Sequence, residues 1–179
     1  CSSYLGGPAL AARKEQLRRS ADPAECGRLA ARFAWGKISN QRGLMLRAAR
    51  RLDDADPDGM RLRAAADELL ALRRHLEPAH GGADPDGRTA PDVGRVRGTE
   101  GAAARVYWSV FGLMMGEEVR ETFAPRGRTR RPPRDPMNCL LGFLYSMLAH
   151  DAATAVATAG LEPGAGFLHA DRPGRPALA

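Results

Sequence analysis

DPMNCLLGFLYSMLAHDAATAVATAG, residues 135–160, decides the fold class. Asp135 brings a side-chain oxygen that caps a helix N-terminus, and Pro136 suits the first helical position because its φ is preset and its missing N–H is not needed there. Met137, Leu140, Leu144, Met147 and Leu148 follow at steps of three and four, so they share one helical face, and the spacing predicts that this face is buried as far as about Gly160. Ala, Leu and Arg, all strong helix formers, dominate the chain, while runs rich in Val, Ile and Thr are nearly absent. The expected fold is all-α.

Working upstream, PRGRTRRPPRD (125–135) is a loop with five arginines between 126 and 134. A helix is expected before it, over about Val93–Met115, and PAHGGADPDGRTAPD (78–92) has too little apolar content to bury, so it reads as a linker. Leu62, Ala65, Leu69, Leu72 and Leu76 form a packing stripe on a helix over about 60–77, preceded by a turn at DDADPDG (53–59). Asp22 and Pro23 repeat the cap-and-start pair for a long helix that reaches about Leu52, and a short helix covers about Ala9–Arg19. Downstream, LEPGAGFLHADRPGRPALA (161–179) is loop-rich around Phe167 and Leu168.

The chain has 179 residues, 44% of them apolar, which is enough for a core and fits one domain or one domain with a piece of a second. No uninterrupted run approaches the ~20 apolar residues that cross a bilayer, and no secretory signal opens the chain. Three widely spaced cysteines argue against a disulfide framework or a zinc site, so a reducing, cytoplasmic setting is expected. The net charge of +6 needs a discount: 25 arginines against 2 lysines, with 32 alanines, is the mark of a GC-rich genome, and clustering is the better guide to a nucleic-acid partner.

Polar groups that interrupt apolar stripes carry the functional information. On a helix Glu100, Ala104, Tyr107, Phe111 and Met114 share one face, so a carboxylate sits on an otherwise buried line. Burial costs several kcal/mol unless a cation, a metal or a donor offsets it, and Arg97, one turn earlier, is the simplest partner. His169 follows Gly-Phe-Leu in a glycine- and proline-rich segment that can place a side chain in a cleft, although a lone histidine is more often structural. His75, His80 and His150 lack that context. In KISNQR (37–42), Lys37 and Asn40 break the face that carries Phe33 and Leu44; an interhelical hydrogen-bond network or a local kink after Gly36 explains this about as well as phosphate contact. The five guanidiniums of the 126–134 loop, stiffened by prolines, favour phosphate. Asn138 and Tyr145, seven apart on one face, are explained by helix packing.

Taken in order, KISNQR, RGTEGAAARVYW, RTRRPPRDPMNCLLGFLYSML and GLEPGAGFLHADRPGRPALA resemble the CRISPR-associated adaptation integrase, a metal-dependent endonuclease that inserts new spacers, and look most like its type I-C members. The likeness runs from about residue 6 to 179. It implies the family's helical catalytic domain, over 9–179 and incomplete at its C-terminus, with residues 1–8 the remnant of a linker from a largely or wholly absent N-terminal β-domain. Both ends of the chain look cut. It implies Glu100 and His169 as catalytic metal ligands for Mg²⁺ or Mn²⁺, with a third, acidic ligand beyond Ala179. Arg130, Arg131, Lys37, Asn40 and Arg42 would contact DNA, and Asn138 and Tyr145 would line the active-site cleft. The implied reaction joins the 3′-hydroxyl of a short DNA fragment to the CRISPR repeat by transesterification. The implied partners are double-stranded DNA (prespacer and repeat), a second copy of the protein and a smaller companion adaptation protein, with no membrane. With two of three ligands the 179-residue piece is expected to be inactive alone, and the alternative is a helical DNA-binding remnant without turnover.

Overall fold

The computed structural model describes residues 7–76, 91–123, 125, 127–170 and 175–179. Six α-helices follow one another: α1 (Gly7–Ser20), α2 (Pro23–Ala49), α3 (Pro57–Arg74), α4 (Val93–Val110), α5 (Glu117–Phe123) and α6 (Pro136–Thr158), with a 3-10 turn at Phe111–Met114. Among the described residues there is no strand, as the composition implied. The expected linker at 78–92 lies outside the described residues except for Pro91 and Asp92, and so does His80.

The helix starts obey local chemistry. Asp22 Oδ1 accepts from Ala24 N at 2.8 Å, and Asp135 Oδ1 accepts from Asn138 N at 2.7 Å, so both expected caps are made. Asp56 Oδ1 accepts from Gly59 N at 2.9 Å with Pro57 at the first position, so α3 begins inside the stretch read as a turn. There the sequence sets one Asp-Pro pair two residues before a glycine, and the capping reading of Asp56-Pro57 wins over the turn reading. Gly160, at φ 81°, follows the end of α6.

The chain divides into two compact units: residues 1–31, 79–96 and 144–179 form the first, and 32–78 and 97–143 the second. In the second unit, Ala34, Ile38, Met45 and Ala49 from α2, Leu62, Ala65, Ala66 and Leu69 from α3, and Ala103, Tyr107 and Val110 from α4 are buried. At about 25 cal/mol per Å² of apolar surface, each of the larger side chains contributes roughly 1.5–3 kcal/mol. The expected α3 stripe is therefore core, with Leu72 half-buried. Arg73 stacks over Trp35, 4.9 Å from the ring centroid, and donates to Ser39 Oγ at 3.3 Å, which ties α3 to α2. Arg120 of α5 pairs with Asp58 of α3, a bond that pushes the Arg120 pKa up.

The first unit is fastened by one amide. Gln16, 5% exposed, donates Nε2 to the carbonyls of Glu162 and Ala165 at 2.9 Å each and accepts from Glu162 N at 2.7 Å. Leu178 N donates to Pro163 O at 2.9 Å on the same segment, and a side chain on Gly166 would meet Ala177 O at 2.5 Å. The loop that carries His169 is thus held on α1 and on the GRPALA segment.

One expectation about α6 is overturned. Its stripe exists, but Leu140, Leu144, Met147 and Leu148 are about half exposed or more, along with Phe143 and Tyr145, and its one buried residue is Asn138. Periodicity fixes which side chains share a face; it does not supply a neighbour to cover them. By length and composition alone, α6 is also apolar enough to cross a membrane, because Asn138, Ser146 and His150 interrupt its apolar run without lowering the average much.

Candidate active site and nucleic-acid interface

Glu100 lies on α4 in the second unit, on the line that leads to buried Ala103 and Tyr107. Its side chain is 21% exposed, and its Oε1 accepts a hydrogen bond from Lys37 Nζ on α2. The cation that offsets this carboxylate is therefore the lysine of KISNQR, 63 residues away in sequence, rather than only a neighbour one turn back. Lys37, half exposed, sits there as an ion-pair partner. Arg42 faces α3: Nε donates to Ala66 O at 3.2 Å and Nη2 lies 4.0 Å from Asp67 Oδ1. Asn40 is exposed. Lys37 and Arg42 thus each make an interhelical contact, to α4 and to α3.

The arginine loop is organised by Asn138, which is 0% exposed. Asn138 Oδ1 accepts from Arg128 Nη1 at 2.8 Å and from Thr129 N at 2.9 Å. Nδ2 donates to Gly127 O at 2.8 Å and to Asp135 Oδ2 at 2.6 Å. Every hydrogen-bonding position of a buried amide is satisfied or nearly so, which is the condition for burying it at all. The residue singled out as cleft-lining is thus the fastening of the loop. Arg130 and Arg131 are exposed on that loop.

Loop and helix enclose an open concavity of ≈ 610 Å³, lined from α4 by Ala104, Arg105, Trp108 and Ser109 and from the loop side by Pro125, Gly127, Arg128 and Arg130. Ala104 is one helical turn beyond Glu100, on the same face. Trp108 stands edge-on to Tyr107 (centroids 5.3 Å apart) and tilted against Phe111 (4.8 Å), with Arg128 Cζ 5.9 Å from its ring centroid. Nothing in the sequence singled out Trp108; its place beside the arginine loop depends on the buried amide of Asn138.

His169 is exposed and belongs to the first unit, as does half-exposed Tyr145. Glu100 and Asn138 belong to the second. The divalent ion implied by the resemblance needs hard oxygen donors, and Glu100 fits as one: a half-buried carboxylate that already holds a positive charge. Among the described residues no three His, Cys, Asp or Glu side chains gather, so the fit is that of one ligand rather than of a finished cage. Cys26 and Cys139 take part in no disulfide among the described residues.

A family profile described as "CRISPR associated protein Cas1" matches residues 6–179. The chain is 43% identical over 146 residues to "CRISPR-associated endonuclease Cas1 2" of Rhodospirillum rubrum, covering 80% of this chain and 39% of that protein. It is 40% identical over 167 residues to "CRISPR-associated endonuclease Cas1 1" of Chlorobaculum tepidum, covering 93% of this chain and 45% of that protein. It thus spans less than half the length of both relatives. Among solved structures, a chain of a "Partial Cas6-RT-Cas1--Cas2 complex" superposes with a TM-score of 0.70 at 24% identity, covering 91% of this chain and 42% of that one, a likeness of fold.

Proposed function

Because the chain belongs to the CRISPR-associated Cas1 family, we propose that it carries helical catalytic machinery of a DNA endonuclease and integrase that acts in CRISPR spacer acquisition. The observation that carries this reading is local to the second unit. A half-buried carboxylate held by an ammonium lies one helical turn from a concavity lined by three arginines. That arrangement pairs an anionic centre for a cation with a cationic surface for phosphates.

Glu100 and His169 are the proposed ligands of Mg²⁺ or Mn²⁺, which when bound would polarise a phosphodiester and stabilise the departing 3′ oxygen. The 3′-hydroxyl of a short DNA fragment attacks the phosphorus of a repeat strand; the new P–O bond forms as the bond to the repeat's 3′ oxygen breaks, the attacking hydroxyl gives its proton to water, and the departing 3′ oxygen takes one up to become a hydroxyl. Exposed Arg130 and Arg131 hold phosphates of duplex DNA, with Asn40 and Arg42 as further contacts or supports on α2. Lys37 neutralises Glu100 and aims its carboxylate. Asn138 keeps Arg128 and the loop in shape, and Tyr145 lines the cleft. A type I-C setting, a cytoplasmic location, a second copy of the protein and a smaller companion protein complete the proposal. The companion is supported by the similar solved structure, a complex that contains Cas2.

The test is Glu100→Gln in the intact protein, assayed for strand joining and for duplex binding with Mg²⁺ or Mn²⁺ added. Joining is expected to fall at least a hundredfold while duplex affinity changes less than threefold. Parallel loss of both would make Glu100 a structural residue. Duplex binding without joining in the unmutated protein would favour the DNA-binding remnant.

A further inference from the structure

We propose that Gln16 is a positioning residue for His169: one face of α1 holds the backbone of the histidine loop where the imidazole can ligate a metal ion. This rests on the reading of His169 as a ligand and names what aims it. Among the described residues the imidazole makes no hydrogen bond or ion pair of its own. Residues 161–170 form neither helix nor strand. The ring's place is therefore set by the loop's backbone, and the backbone's place by whatever grips it.

Ala9, Arg13 and Gln16 follow at steps of four and three on α1, so they share one face. All three meet the same segment, within the first unit. Gly160 is buried, and a Cβ added to it would come within 2.6 Å of the Ala9 Cβ. Arg13 Nε donates to Gly160 O at 3.3 Å. Gln16, the buried member of the row, holds the carbonyls of Glu162 and Ala165 and the N–H of Glu162 with one amide. It thus fixes two points three residues apart, the second of them four residues before His169. An amide with both donors used has one orientation, whereas an apolar side chain there would leave three backbone groups to find water and the loop able to lift. Groups that hold a ligand without touching the ion change metal affinity by about 10–100-fold when removed. Gln16 acts through four residues of backbone, so the lower end is expected.

The experiment titrates Mn²⁺ alone, an ion that accepts an imidazole beside oxygen donors, into the intact protein and into Gln16→Leu, His169→Ala, the double variant and Arg13→Leu. Affinity and Tm are measured on the same samples. Gln16→Leu should weaken Mn²⁺ binding about tenfold, and His169→Ala at least as much. In the double variant affinity should match His169→Ala within about twofold, because the two changes act through one ring, while the fall in Tm caused by Gln16→Leu stays the same in both backgrounds. Arg13→Leu, which removes a single long bond, should weaken binding about threefold and keeps the proposal open to refutation if Gln16→Leu does not fold. Unchanged Mn²⁺ affinity in His169→Ala would overturn the ligand reading and the role of Gln16 with it. Weakening in His169→Ala with no change in Gln16→Leu or Arg13→Leu would overturn the positioning role alone. A tenfold further loss in the double variant would make Gln16 a residue of general stability and overturn the proposal as well.

Discussion

Replacing Asn138 with alanine should loosen the arginine loop by an amount that its hydrogen bonds set. The side chain makes four bonds, to Arg128, Thr129, Gly127 and Asp135, from a position with no solvent exposure. At about 1 kcal/mol net for a neutral bond and more for those to the guanidinium and the carboxylate, full loss would exceed 4 kcal/mol. The loop lies at the surface, and its freed groups can reach water once it lifts, so the expected cost is about 2–4 kcal/mol. The opening is local. Amide hydrogen exchange over 127–135, and at Thr129 N above all, should accelerate by about 30–700-fold at pH 7, the same free energy expressed as a rate. Asn138→Asp keeps the size but puts an oxygen where Nδ2 now donates. Two acceptor–acceptor contacts result, to Gly127 O and Asp135, so it should be at least as disruptive at neutral pH and partly relieved in acid. An acceleration below threefold in both variants would refute the view that this amide holds the loop.

Gln16→Leu leaves three backbone groups of Glu162 and Ala165 without their partner; a loss of about 2–4 kcal/mol is expected, read as a fall in Tm of roughly 5–15 °C. Gly166→Ala forces a Cβ to within 2.5 Å of Ala177 O, so the 163–169 loop or the GRPALA segment must shift; about 1–3 kcal/mol of destabilisation should appear, with faster exchange at Leu178 N. Hydrogen bonds from Arg18 and Arg19 hold the Glu15 carboxyl down at about 2. A depressed folded pKa stabilises the native state above the unfolded value of about 4.3, and that contribution disappears as the pH falls through about 2. The Tm difference between the parent and Glu15→Gln should therefore be present at pH 6 and vanish near pH 2; a constant difference would remove Glu15 from the acid response.

What was legible in the chain was local. Asp22-Pro23 and Asp135-Pro136 announced two helix starts, and the Leu62–Leu76 spacing announced a core face, because capping and periodicity act within a few residues. Asp56-Pro57 carried the same signal but lay in a run of turn formers, and the seven-residue α5 lies in GEEVRETF, a stretch too short to show a period. The partner of Glu100 was hidden because Lys37 is 63 residues away. Gln16 gave no sign, since its partners are about 150 residues downstream. The α6 stripe was visible and its exposure was not, since exposure is a property of the neighbours.

The way Asn138 secures its loop has a consequence for how ionic strength acts on this surface. Five guanidiniums in nine residues would ordinarily make a segment whose shape drifts as counterions come and go. Here the shape is fixed from beneath by an amide sealed away from the medium, and Debye screening of about 8 Å in physiological salt reaches only the outward charges. Added electrolyte should thus dilute the pull on a polyanion while leaving the contour that greets it unchanged.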